Sequence, residues 1–456
     1  MQNHAARRGL CRCVQLETEN VRLFGDLFKK MLLVLAVVAL VAGAALGVWF
    51  GLPHVRIDLR RATPMPAATP EPTVTPTPSE QPVATSTPEA APQTTEEWVE
   101  AYMTGMSMQE KLGQLVMFGF SGTSDFTGTY KQIVQSYHIG NLILYGSNIK
   151  RTNSDGGFAL CKKLTDTVKG RLTTDVPPLI ATDVEGGSVT RFRWDPQPVS
   201  ARSLGRRRDA DYAFEQFATI GEQLIAVGIN LDLAPVLDVS DNPMDTFLET
   251  RIISEDATIT AAIGASVIDG LHSVNCLSAA KHFPGHGGTT EDSHSATPVI
   301  DRTLEELESY DLLPFYAAIE SGVDAIMMAH VRYTALDETD IASMSEPIIT
   351  GLLREQMGYD GLVLSDDFRM DGLTALYSAA DAAVQFILAG GDIIVCGADV
   401  DRQTAIIESL QTAAEDGRLS EERIDESVKR VLMKKAEMCG WDVEAAVQNQ
   451  QSEQDG

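Results

Sequence analysis

The segment Lys281-His282-Phe283-Pro284-Gly285-His286-Gly287, followed closely by Asp292-Ser293-His294, gathers three histidines and an acid within fourteen residues. The chain has 456 residues and only eight histidines, so the concentration is local. An imidazole exchanges its proton near neutral pH, and a carboxylate beside it orients the ring and raises its basicity. An Asp–His couple such as Asp292–His294 is therefore suited to general acid/base work. Gly285, Gly287 and Gly288 make the segment a loop that is expected to move and to let backbone approach a ligand. Other reactive residues recur just after short apolar runs. Asp183, Glu185, Arg191 and Arg193 follow one run, Asp238 a second, His330 another, and Ser365-Asp366-Asp367 yet another, while Arg251 lies in a further loop. Singly these have ordinary explanations, because an Asp at a strand end often caps the next helix, as Asp367 and Asp371 would. Jointly, acids, bases and cations at one face suit a polar, uncharged, hydroxyl-rich ligand, with Asp366 available as a nucleophile. Glycoside hydrolysis is the natural candidate, although its usual form employs two carboxylates. Zinc held by His282, His286, Asp292 and His294 is the rival, but the spacing is not that of HExxH or another established zinc motif. No GxGxxG or GxxxxGK[ST] motif points to a nucleotide.

The elements that must carry these residues read as eight strands: 114–120, 140–145, 178–183, 230–237, 277–282, 325–330, 361–366 and 393–396. Most are short apolar runs, as parallel strands buried on both faces require. Amphipathic stretches separate them. Ser107 with Glu110, and Thr303 with Glu306, have the spacing of a capping box at a helix start. Eight β-then-α units predict an α/β fold of the (β/α)8 barrel type, with a doubly wound open sheet as the alternative. In a barrel, the strand-end residues all face one mouth.

The rest of the chain is uneven. Residues 31–52 carry no charge, and that length spans about 33 Å as a helix, enough for a bilayer core. Arg7, Arg8, Arg12, Arg22, Lys29 and Lys30 precede it, against Arg56, Arg60 and Arg61 after it. The expectation is a retained signal anchor, with residues 1–30 cytoplasmic and the bulk of the chain outside the cell membrane. A cleaved signal peptide is the alternative. Residues 53–95, rich in Pro and Thr, read as a disordered, extended spacer. Residues 96–442 read as one catalytic domain and 443–456 as a frayed tail. The net charge of −28, from 36 Lys and Arg against 64 Asp and Glu, argues against a nucleic-acid partner. Cys161, Cys276, Cys396 and Cys439 lie far apart and read as small buried side chains, not as a disulfide framework.

Taken together, Ala181-Thr182-Asp183-Val184-Glu185-Gly186-Gly187, the run 230–238, Lys281 to Gly287, Asp292-Ser293-His294 and Leu364-Ser365-Asp366-Asp367 resemble glycoside hydrolase family 3. The Asp-Ser-His element is similar to that of its β-N-acetylglucosaminidase branch. The resemblance implies a TIM-type barrel and a retaining β-N-acetylhexosaminidase acting on terminal β-N-acetylglucosamine through a covalent glycosyl-enzyme, without cofactor or metal. It implies Asp366 as nucleophile and His294 as acid/base with Asp292 as its partner. Asp183, Arg191, Arg251, Lys281 and His282 match positions that hold the terminal sugar. Around Arg251 the sequence Thr250-Arg251-Ile252-Ile253-Ser254 departs from the Arg-Ser-Phe more usual in the family, and Gly288 stands where an Asp often follows Gly287. Together with the anchor, the resemblance suggests a monomer acting on cell-wall muropeptide fragments. A related β-glycosidase, a phosphorolytic transferase and an inactive sugar-binding module are the alternatives.

Overall fold

The computed structural model describes residues 92–122, 126, 128–149, 156–192 and 194–454. They fall within the compact unit Pro88–Gly456. The anchor expected at 31–52, most of the spacer, and Arg193 lie outside the described residues. Among the described residues, no helix is long and apolar enough to cross a membrane.

Eight parallel strands form one sheet: β1 (Val116–Gly119), β2 (Asn141–Ile143), β3 (Leu179–Thr182), β4 (Leu231–Asp232), β5 (Leu277–Phe283), β6 (Ala325–Met328), β7 (Leu362–Ser365) and β8 (Ile394–Cys396). Each falls within, or within one residue of, an apolar run expected to be a strand. The spatial order β7-β6-β5-β4-β3-β2-β1-β8 follows the chain, with β8 returning to β1. The sheet curls until its edges meet, where Leu364 bridges Ile393 and Ser365 N–H donates to Ile393 O at 3.0 Å. The result is a nearly closed barrel, not an open doubly wound sheet. Helices follow the strands, among them Gly157–Lys169 after β2, Ala257–His272 after β4 and Val400–Glu415 after β8.

Period-two alternation decides what each strand residue does. Met117, Leu179, Ala181, Leu277, Ala279, Ala325, Met327, Leu362, Leu364 and Val395 point inward and fill the barrel as one cluster. Their neighbours Val116, Phe118, Ile180, Ala280, Ile326, Met328, Val363 and Ile394 point outward beneath the helices as another. Full burial of each Val, Leu, Ile, Phe or Met among them contributes about 1.5–3 kcal/mol, and the alanines less. β4 is shorter than its apolar run because Pro235 has no N–H to give the ladder. Pairing resumes at the Val236–Lys281 bridge. Both capping boxes form as read: Ser107 with Glu110 opens the helix Met108–Gln114, and Thr303 with Glu306 opens Leu304–Glu306.

The C-terminal segment corrects the expectation of a frayed tail. Val443–Gln454 is a helix, with Val443, Ala446 and Val447 buried. Trp441 packs edge-on against Tyr102 of the Thr95–Thr104 helix at 4.9 Å. A few apolar residues at the start of this polar run are enough to dock it. The preceding helix, Glu421–Met438, lies across the foot of the barrel, and its Val431 joins the inner cluster.

Candidate active site

At the C-terminal mouth of the barrel, a pocket of about 450 Å³ has Ile143, Leu233, Met327 and Val395 among its lining residues. These are the uppermost inward-facing side chains, so the apolar floor follows from the same alternation that fills the barrel. Around it stand Asp183, Glu185, Arg191, Arg251, Lys281, His282, His294 and Asp366. The mouth therefore brings together every residue to which the family resemblance gave a role except Asp292, which stands behind His294.

One wall is a closed ionic lattice. Lys281 Nζ lies 2.7 Å from Asp183 Oδ1 and 2.7 Å from Glu185 Oε1. Arg191 grips Asp183 Oδ2 through Nη2 at 2.6 Å, and Arg251 holds both oxygens of Glu185 at 2.7 and 2.9 Å. Burial by itself would push Asp183 and Glu185 up, but these cations hold both carboxyls below their usual range. Burial would likewise lower Lys281, and its two carboxylates raise it instead. All three groups stay charged at neutral pH. A regular strand would send Lys281 and His282 to opposite faces. In β5 the register against β6 shifts between Lys281 and Phe283, so one extra residue is accommodated and both side chains reach the pocket.

Asp238, seen in the sequence only as a strand-end acid, is buried beneath this wall. Its Oδ2 lies 2.7 Å from His282 Nδ1, which leaves Nε2 of that ring facing Arg251 at 3.4 Å. Burial would raise Asp238, but His282 and His286 hold it down, to about 2. His330 does not line the pocket; it is fully buried and its Nδ1 meets Ser343 Oγ at 2.8 Å. Tyr145 and Arg369 are pocket residues that the sequence did not single out, and Glu185 and Asp367 are ones it noted without a part in binding or catalysis. Glu185 was visible in its Asp-Val-Glu-Gly-Gly context. Tyr145 gave no signal, because a Tyr ending an apolar run is ordinary.

The two adjacent acids after β7 are in contrasting states. Asp367 accepts from Tyr145 Oη at 2.7 Å, from Arg369 Nη2 at 2.6 Å and from Gly397 N–H at 3.1 Å. A Cβ on Gly397 would sit 2.0 Å from the Arg369 guanidinium carbon, so the absence of a side chain there lets Arg369 lie against the backbone. Among the described residues, Asp366 accepts one side-chain hydrogen bond, from the Asp367 N–H to Oδ1 at 2.7 Å, and its carboxylate faces the pocket. Asp367 is thus consumed in structure, while Asp366 is free for chemistry.

Across the mouth, Asp292 Oδ1 takes the His294 backbone N–H at 2.9 Å and lies 2.8 Å from His294 Nδ1. Burial pushes Asp292 up, but these two contacts win and hold it below its usual range. His294 Nε2 is left to face the pocket. The His294 side chain is 62% exposed, at the rim. The glycines of this loop act differently from expectation. A Cβ on Gly287 would meet Val239 O at 1.9 Å, so this glycine permits a close backbone contact where mobility was expected. Among the described residues, no group of three or more His, Cys, Asp or Glu is placed to hold a metal ion. The nitrogens of His282, His286 and His294 that the zinc alternative would use are partly engaged by Asp238, Ser293 and Asp292.

Residues 107–433 match the family model for the glycosyl hydrolase family 3 N terminal domain. The chain is 30% identical over 344 residues to beta-hexosaminidase A of Pseudoalteromonas piscicida, covering 70% of this chain and 56% of that protein. It is 32% identical over 341 residues to beta-hexosaminidase LpqI of Mycobacterium tuberculosis, covering 72% of this chain and 83% of that protein. Among solved structures, a glycoside hydrolase family 3 beta-N-acetylglucosaminidase from Paenibacillus sp. superposes with a TM-score of 0.69 at 35% identity, over 73% of this chain and 63% of the other. The chain thus spans little more than half the length of the first of these relatives and most of the second.

Proposed function

The chain belongs to glycoside hydrolase family 3, and we propose that it is a β-N-acetylhexosaminidase that removes terminal β-N-acetylglucosamine with retention. The observation that carries this reading is the pairing, in one pocket, of the under-bonded Asp366 carboxylate with the Asp292–His294 couple. A pocket with a closed floor suits the end of a sugar chain, and the lattice of Asp183, Arg191, Lys281, Arg251 and His282 offers donors and acceptors to its hydroxyls. In the first step Asp366 attacks C1 while His294 Nε2 gives its proton to the departing oxygen. The bond to that oxygen breaks and a glycosyl ester forms on Asp366. In the second step His294 takes a proton from water, the water oxygen attacks C1, and Asp366 leaves as carboxylate. Asp292 holds the imidazole by Nδ1 and stabilises its charged form.

The sequence also supports a reading of the substrate beyond the terminal sugar. An anchor at 31–52 and a long spacer would hold the domain outside the cell membrane, where cell-wall fragments bearing terminal β-N-acetylglucosamine are the substrate class at hand. The test is turnover of aryl β-N-acetylglucosaminide against aryl β-glucoside, with and without inorganic phosphate. Selective hydrolysis of the first, unaffected by phosphate, supports the reading. Preference for the glucoside, glycosyl phosphate as product, or no turnover at all would each replace it with one of the alternatives.

A further inference from the structure

Ser293 is the buried residue of an otherwise open loop. It is 2% exposed, between Asp292 and His294 side chains that are 38% and 62% exposed. Two contacts hold it. The Gly372 N–H donates to its carbonyl at 2.8 Å, and its Oγ lies 2.9 Å from His286 Nε2. His286 is fixed in turn. Its backbone N–H donates to Asp238 Oδ1 at 2.6 Å, and the Phe247 ring packs edge-on against it at 4.9 Å while also reaching the His294 ring at 6.2 Å. The other oxygen of Asp238 holds His282, which lines the pocket. An unbroken run of contacts therefore links a sugar-facing imidazole, through Asp238 and His286, to the loop that carries His294.

We propose that His286 is a positioning residue for the acid/base: through Ser293 it fixes where His294 stands over the departing oxygen, and through Asp238 it ties that placement to His282. The role presupposes His294 as the acid/base. The hydrogen-bonding state of the ring follows from its surroundings. Its Nε2 shares a hydrogen bond with Ser293 Oγ, and burial sets its charge state. Burial holds His286 down, to about 4, against the pull of Asp238 and Asp366 and with the help of His282. The anchor stays neutral across the pH range in which a catalytic imidazole exchanges its proton. Its grip on Ser293 then does not change as His294 cycles between acid and base.

The experiment compares Ser293→Ala, His286→Leu, His286→Gln and His294→Ala with the parent, on an aryl β-N-acetylglucosaminide and on an N-acetylglucosamine disaccharide. Ser293→Ala and His286→Leu should lose kcat on the disaccharide by on the order of 10-fold or more, with a smaller loss on the aryl substrate and KM little changed. His286→Gln, whose amide N–H can still reach Ser293, should recover part of the loss. Thermal unfolding is followed in parallel, and Ser293→Ala, which removes one oxygen, should unfold near the parent temperature. Full disaccharide turnover by folded Ser293→Ala, or equal losses on both substrates, overturns the proposal. If His294→Ala still discriminates between the substrates in that case, only the anchoring role falls. If His294→Ala does not discriminate, the acid/base assignment falls with it.

Discussion

Charge is buried at both ends of the barrel, but the two ends employ it differently. At the foot, Asp392 accepts from Arg354 at 2.6 Å, Arg430 at 2.9 Å, Ser427 at 2.6 Å and the Val363 N–H at 2.9 Å. Asp324 meets His272 at 2.6 Å and the Ser278 N–H at 2.9 Å, with Lys434 at 3.4 Å. The helix Glu421–Met438 supplies Ser427, Arg430 and Lys434. These acids are saturated. At the mouth, Asp183, Glu185 and Asp367 are saturated in the same way, while Asp366 and His294 are each held at one edge and open at the other. A saturated carboxylate fixes geometry, because any movement leaves a buried charge unmatched. An unsaturated one beside a cavity is available to react. The difference predicts which substitutions should stop turnover and which should unfold the chain.

Asp366→Ala tests that division most severely. It should lower kcat by about 10³-fold or more, at least about 4 kcal/mol in the barrier, with the unfolding midpoint nearly unchanged. Asp367→Ala strips partners from Tyr145, Arg369 and Gly397 and should lower stability as well as rate. A stable, inactive Asp367→Ala beside an active Asp366→Ala would reverse the roles of the two acids. Next in size, His294→Ala should cost about 10²–10³-fold on a disaccharide and far less on a nitrophenyl glycoside, whose leaving group needs no proton. Because deglycosylation needs the same residue as base, the nitrophenyl substrate should give a burst as ester accumulates on Asp366. Asp292→Asn should give a milder form of the same pattern. Equal losses on both substrates with no burst would reduce His294 to a sugar-binding role.

The foot should answer in stability alone. Asp392→Asn leaves two half-buried guanidinium groups facing a neutral amide, and urea unfolding should show a loss of about 2–3 kcal/mol, with kcat per folded molecule unchanged. A rate loss without a stability loss would erase the distinction between the ends. The smallest effect is a pH slope. Lys435 Nζ lies buried at the foot, 2.6 Å from Gln114 Oε1 and 3.1 Å from Gly140 O, and burial lowers it from 10.5 to about 7. Between those two values the unfolded chain binds more protons than the folded one, so stability rises with pH across that window. Lys435→Met removes this contribution. The parent should therefore gain on the variant by up to about 1 kcal/mol per pH unit between pH 7 and 10. A flat difference would mean that Lys435 keeps its ordinary ionisation.

The two ends also differed in how far they could be read from the sequence. The mouth was legible because its residues follow apolar runs directly and sit among glycines, so Asp183, Lys281, His282 and Asp366 stand out by position. The eight strands were legible for the same reason, as uncharged runs of the right length. The foot was not, because its partners are far apart in the chain: Lys435 and Gln114 are separated by 321 residues and Asp392 and Arg430 by 38. Nothing local marks Asp392 as buried. The helix Val443–Gln454 was missed because it is held by tertiary burial of Val443, Ala446 and Val447, which a polar composition conceals. Asp238 and His286 were visible as residues, but their part in the site depends on contacts that only the closed barrel brings about.

The helix that seals the foot also bears on the order in which the molecule can be made. A ribosome delivers β1 first and Glu421–Met438 after all eight strands. Until residues 394–396 have emerged, β1 lacks one of its two neighbours, and until Ser427, Arg430 and Lys435 follow, Asp392 and the Gly140 carbonyl at the foot lack part of their partners. Closing so distant a pair of ends costs chain entropy before it returns any contact. The nascent chain should therefore stay open and protease-sensitive through most of its synthesis and become resistant only late. A chain stalled at residue 420 and digested beside the released protein shows whether it does: resistance already present at that length would mean that the barrel closes without its last-made helix.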